Sequence, residues 1–221
     1  MKKLTLLLSC LFLSACVSGK DTPNISYYSL ENATQSVPSD TASETVVRVM
    51  PVSIVPQYSV KNFIYRTGET NYVSDPYRQF HLAPSLQITQ YLTNAMQDEL
   101  DVTIVSADSL LIANYVVQFD VSKLYADYQN KNAPEAMTSI NALLYYVTPT
   151  RTAKIGEEIF SAQQAIAPND AKSLIKGYNK NLTAISNEAD TWIAQHIAEN
   201  DKATKDKATK DKATKKETTP A

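Results

Sequence analysis

The stretch Tyr115-Val116-Val117-Gln118-Phe119-Asp120-Val121-Ser122 decides the fold class. Tyr115, Val117, Phe119 and Val121 share one phase of a two-residue period, against Gln118, Asp120 and Ser122. That alternation is the signature of a strand with one buried face. Ile140, Ala142, Leu144 and Tyr146 repeat the pattern against Ser139 and Asn141, and residues 155–166 carry a weaker third copy. Loops at Asn130-Lys131-Asn132 and at Pro149 then link the three strands as an antiparallel meander.

Working outward, residues 25–30 read as a first strand. The β-branched run Val46, Val47, Val49, Val52, Ile54 reads as another, with Pro51 at an edge or bulge. Residues 63–73 read as a hairpin turning at Gly68. The segment Asp75-Pro76-Tyr77-Arg78-Gln79-Phe80 follows as a turn leading into a helix. Pro84 suits that helix's first turn, and Ile88, Leu92, Ala95, Met96 and Leu100 recur at helical spacing. Val102, Ile104 and Val105 form a short strand. A last helix, capped by Asn169 or Asp170, carries Leu174, Tyr178, Leu182, Ile185, Ala189, Trp192, Ile193 and His196 on one face to about Asn200. The sum is an α+β fold: a mainly antiparallel sheet with two long helices packed on one face.

The two ends differ from this middle. Residues 1–15 have the layout of a secretory signal: basic Lys2 and Lys3, then an apolar run of about ten residues, too short for the ~20 that span a bilayer. The run Leu13-Ser14-Ala15-Cys16 resembles a bacterial lipobox, which predicts cleavage before Cys16 and a covalent lipid on its sulfur. Each buried methylene of an acyl chain contributes ~0.8 kcal/mol, so two or three chains anchor stably without a transmembrane helix. Cys10 departs with the signal, leaving the mature chain no free thiol and no disulfide. Val17 follows the cysteine where, in enteric-type bacteria, an Asp tends to retain a lipoprotein in the inner membrane, so the outer membrane is favoured. Residues 16–24 form a tether that reaches under ~30 Å at ~3.3–3.6 Å per extended residue, and residues 25–200 form the domain. The pentad Asp-Lys-Ala-Thr-Lys then repeats three times over 201–215. With no apolar side chain larger than Ala, residues 201–221 read as a disordered Lys-rich tail.

Charge and motif content narrow the function. From Cys16 to Asn200 there are twelve basic and nineteen acidic residues, a balance of −7, which argues against nucleic acid. Only Gly68, Gly156 and Gly177 lie past the tether, too far apart for a phosphate-cradling loop or a dinucleotide fingerprint. His81 and His196 are the only histidines, with no cysteine free to join them, so no metal, no cofactor and no catalytic residues are expected. Most of the thirteen tyrosines fall at core phases; Tyr58, Tyr65, Tyr72 and Tyr77 cluster ahead of the first helix as candidates for a surface contact.

These motifs, taken in order, resemble a known family. The lipobox is followed by Tyr27-Tyr28-Ser29-Leu30, by a Val-rich strand ending Met50-Pro51-Val52, by Phe63-Ile64-Tyr65-Arg66-Thr67-Gly68, and by Tyr77-Arg78-Gln79-Phe80 ahead of a Pro-started helix. The pattern resembles the auxiliary lipoproteins of ABC-type transporters, the PqiC-like family. Two departures stand out: Phe80 replaces a frequent Trp, and the repeated tail is not a family feature. The resemblance implies a non-enzymatic accessory subunit at the outer membrane, facing the periplasm, with lipid as the transported class. Its implied partners are an MCE-domain protein, an ABC permease and an ATPase subunit. Tyr65, Arg66, Tyr72, Tyr77, Arg78 and Phe80 are the expected partner-contact residues, and a homo-oligomer is left open. The alternative is a structural or envelope-assembly lipoprotein that binds a periplasmic enzyme or peptidoglycan.

Overall fold

The structure is a computed structural model that describes residues 24–30, 44–99 and 102–217. Cys16, the signal segment and most of the tether lie outside the described residues. In chain order the elements are β1 (Ser26–Tyr28), β2 (Val46–Val49), β3 (Ser53–Ile54), a 3-10 turn (Pro56–Tyr58), β4 (Asn62–Arg66), β5 (Tyr72–Phe80), α1 (Pro84–Glu99), β6 (Thr103–Ser106), β7 (Tyr115–Asp127), β8 (Glu135–Thr148), β9 (Arg151–Ala165) and α2 (Ala171–Glu217).

β7 organises the sheet. Along one edge it pairs antiparallel with β8, from Tyr115 opposite Tyr146 to Asp127 opposite Glu135, and β8 pairs antiparallel with β9. The meander read from alternation is therefore present. Along its other edge β7 takes three short partners in succession, all parallel: β2 at Tyr115–Val117, β3 at Asp120–Val121 and β4 at Ala126–Asp127. β6 adds parallel to β2, and β1 parallel to β5. The sheet is thus mixed, not mainly antiparallel. The cause lies between Val46 and Arg66. This single extended segment is broken at Pro51 and at Pro56, yet it keeps one direction, so every piece that meets β7 meets it in parallel.

Two further expectations change. Asp75–Phe80 belongs to β5 and is not a turn into the helix. Pro76 lacks an N–H, and Asp75 Oδ1 absorbs the disruption by accepting from the backbone N–H groups of Tyr77 (2.8 Å) and Arg78 (3.1 Å). The ladder with β4 shifts register there, and the strand resumes beside β1. The pentad repeat is also helical rather than disordered: α2 continues through it to Glu217. A helix already nucleated on the sheet extends at one hydrogen bond per residue, and the repeat contains neither Gly nor Pro. Its threonines bond back into the helix, Thr204 Oγ1 donating to the Asn200 carbonyl and Thr209 Oγ1 to that of Lys205, both at 2.9 Å.

α2 starts as the sequence suggests, with Asp170 Oδ1 accepting from the N–H groups of Lys172 (2.9 Å) and Ser173 (3.2 Å). Its apolar stripe is fully buried at Leu182, Ile185, Ala189 and Ile193 and lies over β8 and β9. α1 lies beside it, buried at Ile88, Leu92 and Met96, and the Tyr91 and Thr183 hydroxyls bond across the helix pair at 2.7 Å. At two places α2 comes so close that only glycine fits. A Cβ on Gly177 would stand 2.8 Å from Cβ of Ala136 on β8, and one on Gly156 of β9 would stand 2.6 Å from the Trp192 ring. His196 packs in the second contact, its ring 4.7 Å from that of Trp192.

Gly177→Leu is therefore expected to lower the unfolding free energy by ~1–3 kcal/mol through overpacking, despite leucine's better helix propensity. Urea denaturation followed by circular dichroism reads this directly, and an unchanged midpoint would refute the close approach.

A candidate contact cleft beside the β4–β5 hairpin

The structure divides the six predicted contact residues between the two faces of the sheet and the core. Phe63 packs against Phe80 at 4.9 Å between ring centroids, and Phe80 meets Tyr178 of α2 at 6.1 Å. Phe63 therefore marks the helix-covered face, and Tyr65, two residues on, shares it. Arg66 and Tyr72 stand on the open face. Phe80 is only 3% exposed, so it is a core residue and offers no surface to a partner. Tyr77 is half exposed and belongs to neither cluster.

On the open face, Arg66 holds the hairpin together. Its Nη1 lies 3.2 Å from Asp127 Oδ2, and its other nitrogens donate to the carbonyls of Gly68 (3.3 Å) and Glu69 (3.4 Å). Beside it Tyr72 and Tyr58 close on Tyr125, each with ring centroids 5.6 Å from it. Burial, together with the neighbouring Tyr72, pushes the Tyr58 hydroxyl above the ordinary tyrosine range. This is a packed aromatic cluster with a stapled turn over it.

On the helix-covered face, beyond the start of α2, lies a cleft of about 300 Å³. Tyr65, Val73 and Tyr128 form its walls, Pro168 and Asn169 close one side, and Arg78 and Lys131 bring positive charge. The Tyr65 and Tyr128 rings meet edge to face at 5.5 Å. Tyr128 is fixed in turn, because its hydroxyl accepts from the Asn169 N–H at 3.1 Å. Asn169 holds a φ of 58°, a conformation that asparagine tolerates better than most residues, just before the Asp170 cap.

Asp75 is the support beneath the cleft. It is 8% exposed and accepts the Tyr65 hydroxyl at 2.7 Å, while Arg78 Nη1 stands 3.7 Å from the same carboxylate oxygen. Burial first, then the bond to Asp75, pushes the Tyr65 hydroxyl well above its ordinary range, so it stays a protonated donor. The Tyr65 side chain, more than Asp75, raises the Arg78 guanidinium further. The cleft thus presents a rigid aromatic wall with a cationic rim, suited to an apolar group that carries negative charge nearby. Among the described residues no three His, Cys, Asp or Glu side chains gather to share a metal ion, and no helix is long and apolar enough to cross a membrane.

Of the six expected contact residues, Tyr65 and Arg78 line the cleft, whereas Tyr128, Lys131 and Asn169 were not singled out as contact residues. They are about fifty to a hundred positions away in sequence and arrive through the parallel pairing of β4 with the end of β7 and through the start of α2.

Comparison with known proteins bears on the whole domain. Residues 28–189 match the family described as the ABC-type transport auxiliary lipoprotein component. Protein XCC0632 from Xanthomonas campestris has a similar structure, with a TM-score of 0.67 at 14% identity over 80% of this chain and 99% of that one. An uncharacterized protein follows, with a TM-score of 0.57 at 15% identity over 79% of this chain and 99% of its own. Both likenesses concern the fold. No curated protein sequence matches the chain.

Asp75→Ala is expected to cost ~2–4 kcal/mol of stability, because it removes several hydrogen bonds to one buried carboxylate. Arg78→Ala, with its side chain 36% exposed, is expected to cost under ~1 kcal/mol. Urea midpoints of the two variants separate the support of the cleft from its accessible rim; equal losses would show that Arg78 is structural.

Proposed function

We propose that this chain, which belongs to the ABC-type transport auxiliary lipoprotein component family, is the outer-membrane-anchored, periplasm-facing subunit of an MCE-type lipid transport system. Membership places the chain in the cell envelope, with transporter subunits as its partners. The observation that carries the reading is the extent of the match: residues 28–189 run from the end of β1 into the first half of α2 and so take in β2 to β9 and the cleft. Cys16 supplies the anchor, through a covalent lipid. Val17 behind it favours the outer membrane.

In this role the domain does no chemistry. It is held beside a membrane by acyl chains and gives the MCE-domain protein or permease a place to dock, while a separate ATPase subunit hydrolyses nucleotide. The cleft at Tyr65 and Arg78 is the docking site that best suits the work. Its walls are rigid, its rim is cationic inside an otherwise acidic domain, and its support at Asp75 is buried.

Detergent-solubilised, lipidated protein should co-purify with an MCE-domain protein and a permease. Arg78→Ala combined with Lys131→Ala should weaken that capture while leaving the unfolding free energy within about 1 kcal/mol of the parent. Recovery of the lipidated chain with neither partner would overturn the assignment. On density gradients the parent should sediment with outer membrane, and Cys16→Ser should appear in the soluble periplasmic fraction.

A further inference from the structure

The loop between β6 and β7 carries the most exposed apolar side chains among the described residues. Leu110 is 101% exposed, Ile112 89% and Leu111, between them, 54%. Contiguous aliphatic surface of this kind is costly in water and marks a contact.

The loop is braced to hold these side chains out. Arg48 Nη2 donates to the carbonyls of Ser109 (3.2 Å) and Leu111 (2.6 Å). The Ser109 N–H bonds the Ser106 carbonyl at 3.1 Å, and Ser109 Oγ accepts from the Leu111 N–H at 3.3 Å. Asn114 ties the far end to Val46 twice, at 3.0 Å through its backbone N–H and at 3.0 Å through its side-chain oxygen. Arg48 alternates with buried Val47 and Val49, which stand beside Tyr115 and Val117 on the helix-covered face. The loop therefore crosses the opposite, open face of the sheet, and its tip points away from both helices.

We infer that Leu110, Leu111 and Ile112 insert into the interface of the lipid bilayer that holds the anchor, as a second attachment that orients the domain. The inference rests on the lipoprotein reading of the chain and goes beyond it. Three arguments select a bilayer. The tip is convex and purely aliphatic, so a fluid hydrocarbon boundary buries it without a matching pocket. Three such side chains offer ~300–400 Å² of apolar surface, far below the ~1,200–2,000 Å² of a stable protein interface. The chain from Cys16 to Asn24 reaches under ~30 Å, so the membrane surface is always within range. β1, where that tether enters the domain, also shows half-exposed Tyr27 on the open face: Tyr28 packs on Phe63 on the helix side, and neighbouring strand residues point to opposite faces.

The test uses the full lipidated mature chain in vesicles of phosphatidylethanolamine and phosphatidylglycerol. With Cys10 removed and Cys16 lipidated, a cysteine introduced by Leu110→Cys or Ile112→Cys is the only free thiol and can take an environment-sensitive fluorophore. Leu86→Cys, on exposed α1, is the control. The expected result is a blue shift at 110 and 112 on reconstitution, quenched by nitroxide-bearing lipid, with no shift at 86. Protein that floats with the vesicles while its 110 and 112 probes stay solvent-like overturns the inference and leaves the anchor reading intact. Protein that does not float overturns both. A shift that appears without vesicles as concentration rises assigns the tip to a second copy of the chain; one that needs added transporter subunits assigns it to them. Either result overturns bilayer insertion.

Discussion

The bulge in β7 governs which side chains meet across this molecule. The β7–β8 register shifts between Val121 and Lys123, and a single extra residue exchanges the faces of everything downstream. Before it, Tyr115, Val117, Phe119 and Val121 point under the helices. After it, Leu124, Ala126 and Tyr128 take that side, while Tyr125 and Asp127 turn to the open face. Without the shift, the carboxylate of Asp127 would enter the apolar core, where a charge is costly unless paired. With it, Asp127 reaches Arg66 and Tyr128 reaches Tyr65. The hairpin staple and the cleft wall are two consequences of one inserted residue.

How much of this was legible follows from the range of the forces involved. The meander, the Pro84 start of α1, the Asp170 cap and the buried stripe of α2 are set within a few residues of chain, and periodicity exposes them. The parallel pairings of β2, β3 and β4 with β7 join positions that lie some sixty residues apart, and no local pattern records their direction. The bulge did leave a trace, since Ser122 and Lys123 put two polar residues in succession where strict alternation allows one. β5 was masked by Pro76, because the carboxylate that lets the strand survive the proline is visible only once its backbone bonds are seen. The pentad repeat misled in the opposite way. Its composition cannot build a core, but a helix that leaves a core needs no new one.

The cleft shows why residue type alone misplaced the contact set. Tyr, Arg and Phe were singled out as surface-contact chemistry, yet the same chemistry fills cores and staples turns. Phe80 is enclosed by Phe63 and Tyr178, and Arg66 is committed to Asp127 and two carbonyls. What separates Arg78 from Arg66 is the company each keeps. Arg78 shares its carboxylate with Tyr65, which already holds it at 2.7 Å, and so keeps donors for something else. Lys131, on the loop after β7, adds charge without any sequence motif.

The placement of these features along β7 joins anchoring to docking. β1 enters beside Arg78–Phe80, near the bulge and the C-terminal half of β7, whereas the Leu110 tip lies beside its N-terminal end. The roughly eight strand residues from Tyr115 to the bulge span ~25 Å at ~3.3 Å each. An acyl tether at one end alone leaves the domain free to pivot. The proposed second hold, at the Leu110 tip, would lay the strand direction along the bilayer, with the open face of the sheet toward lipid. The cleft of Tyr65, Tyr128 and Arg78 belongs to the opposite face, so the orientation that buries the aliphatic tip also turns the cationic rim outward. In that proposed orientation a partner arriving from the aqueous side would meet the cleft already aimed at it, and the rotational freedom that docking must otherwise remove would be lost beforehand, at the membrane.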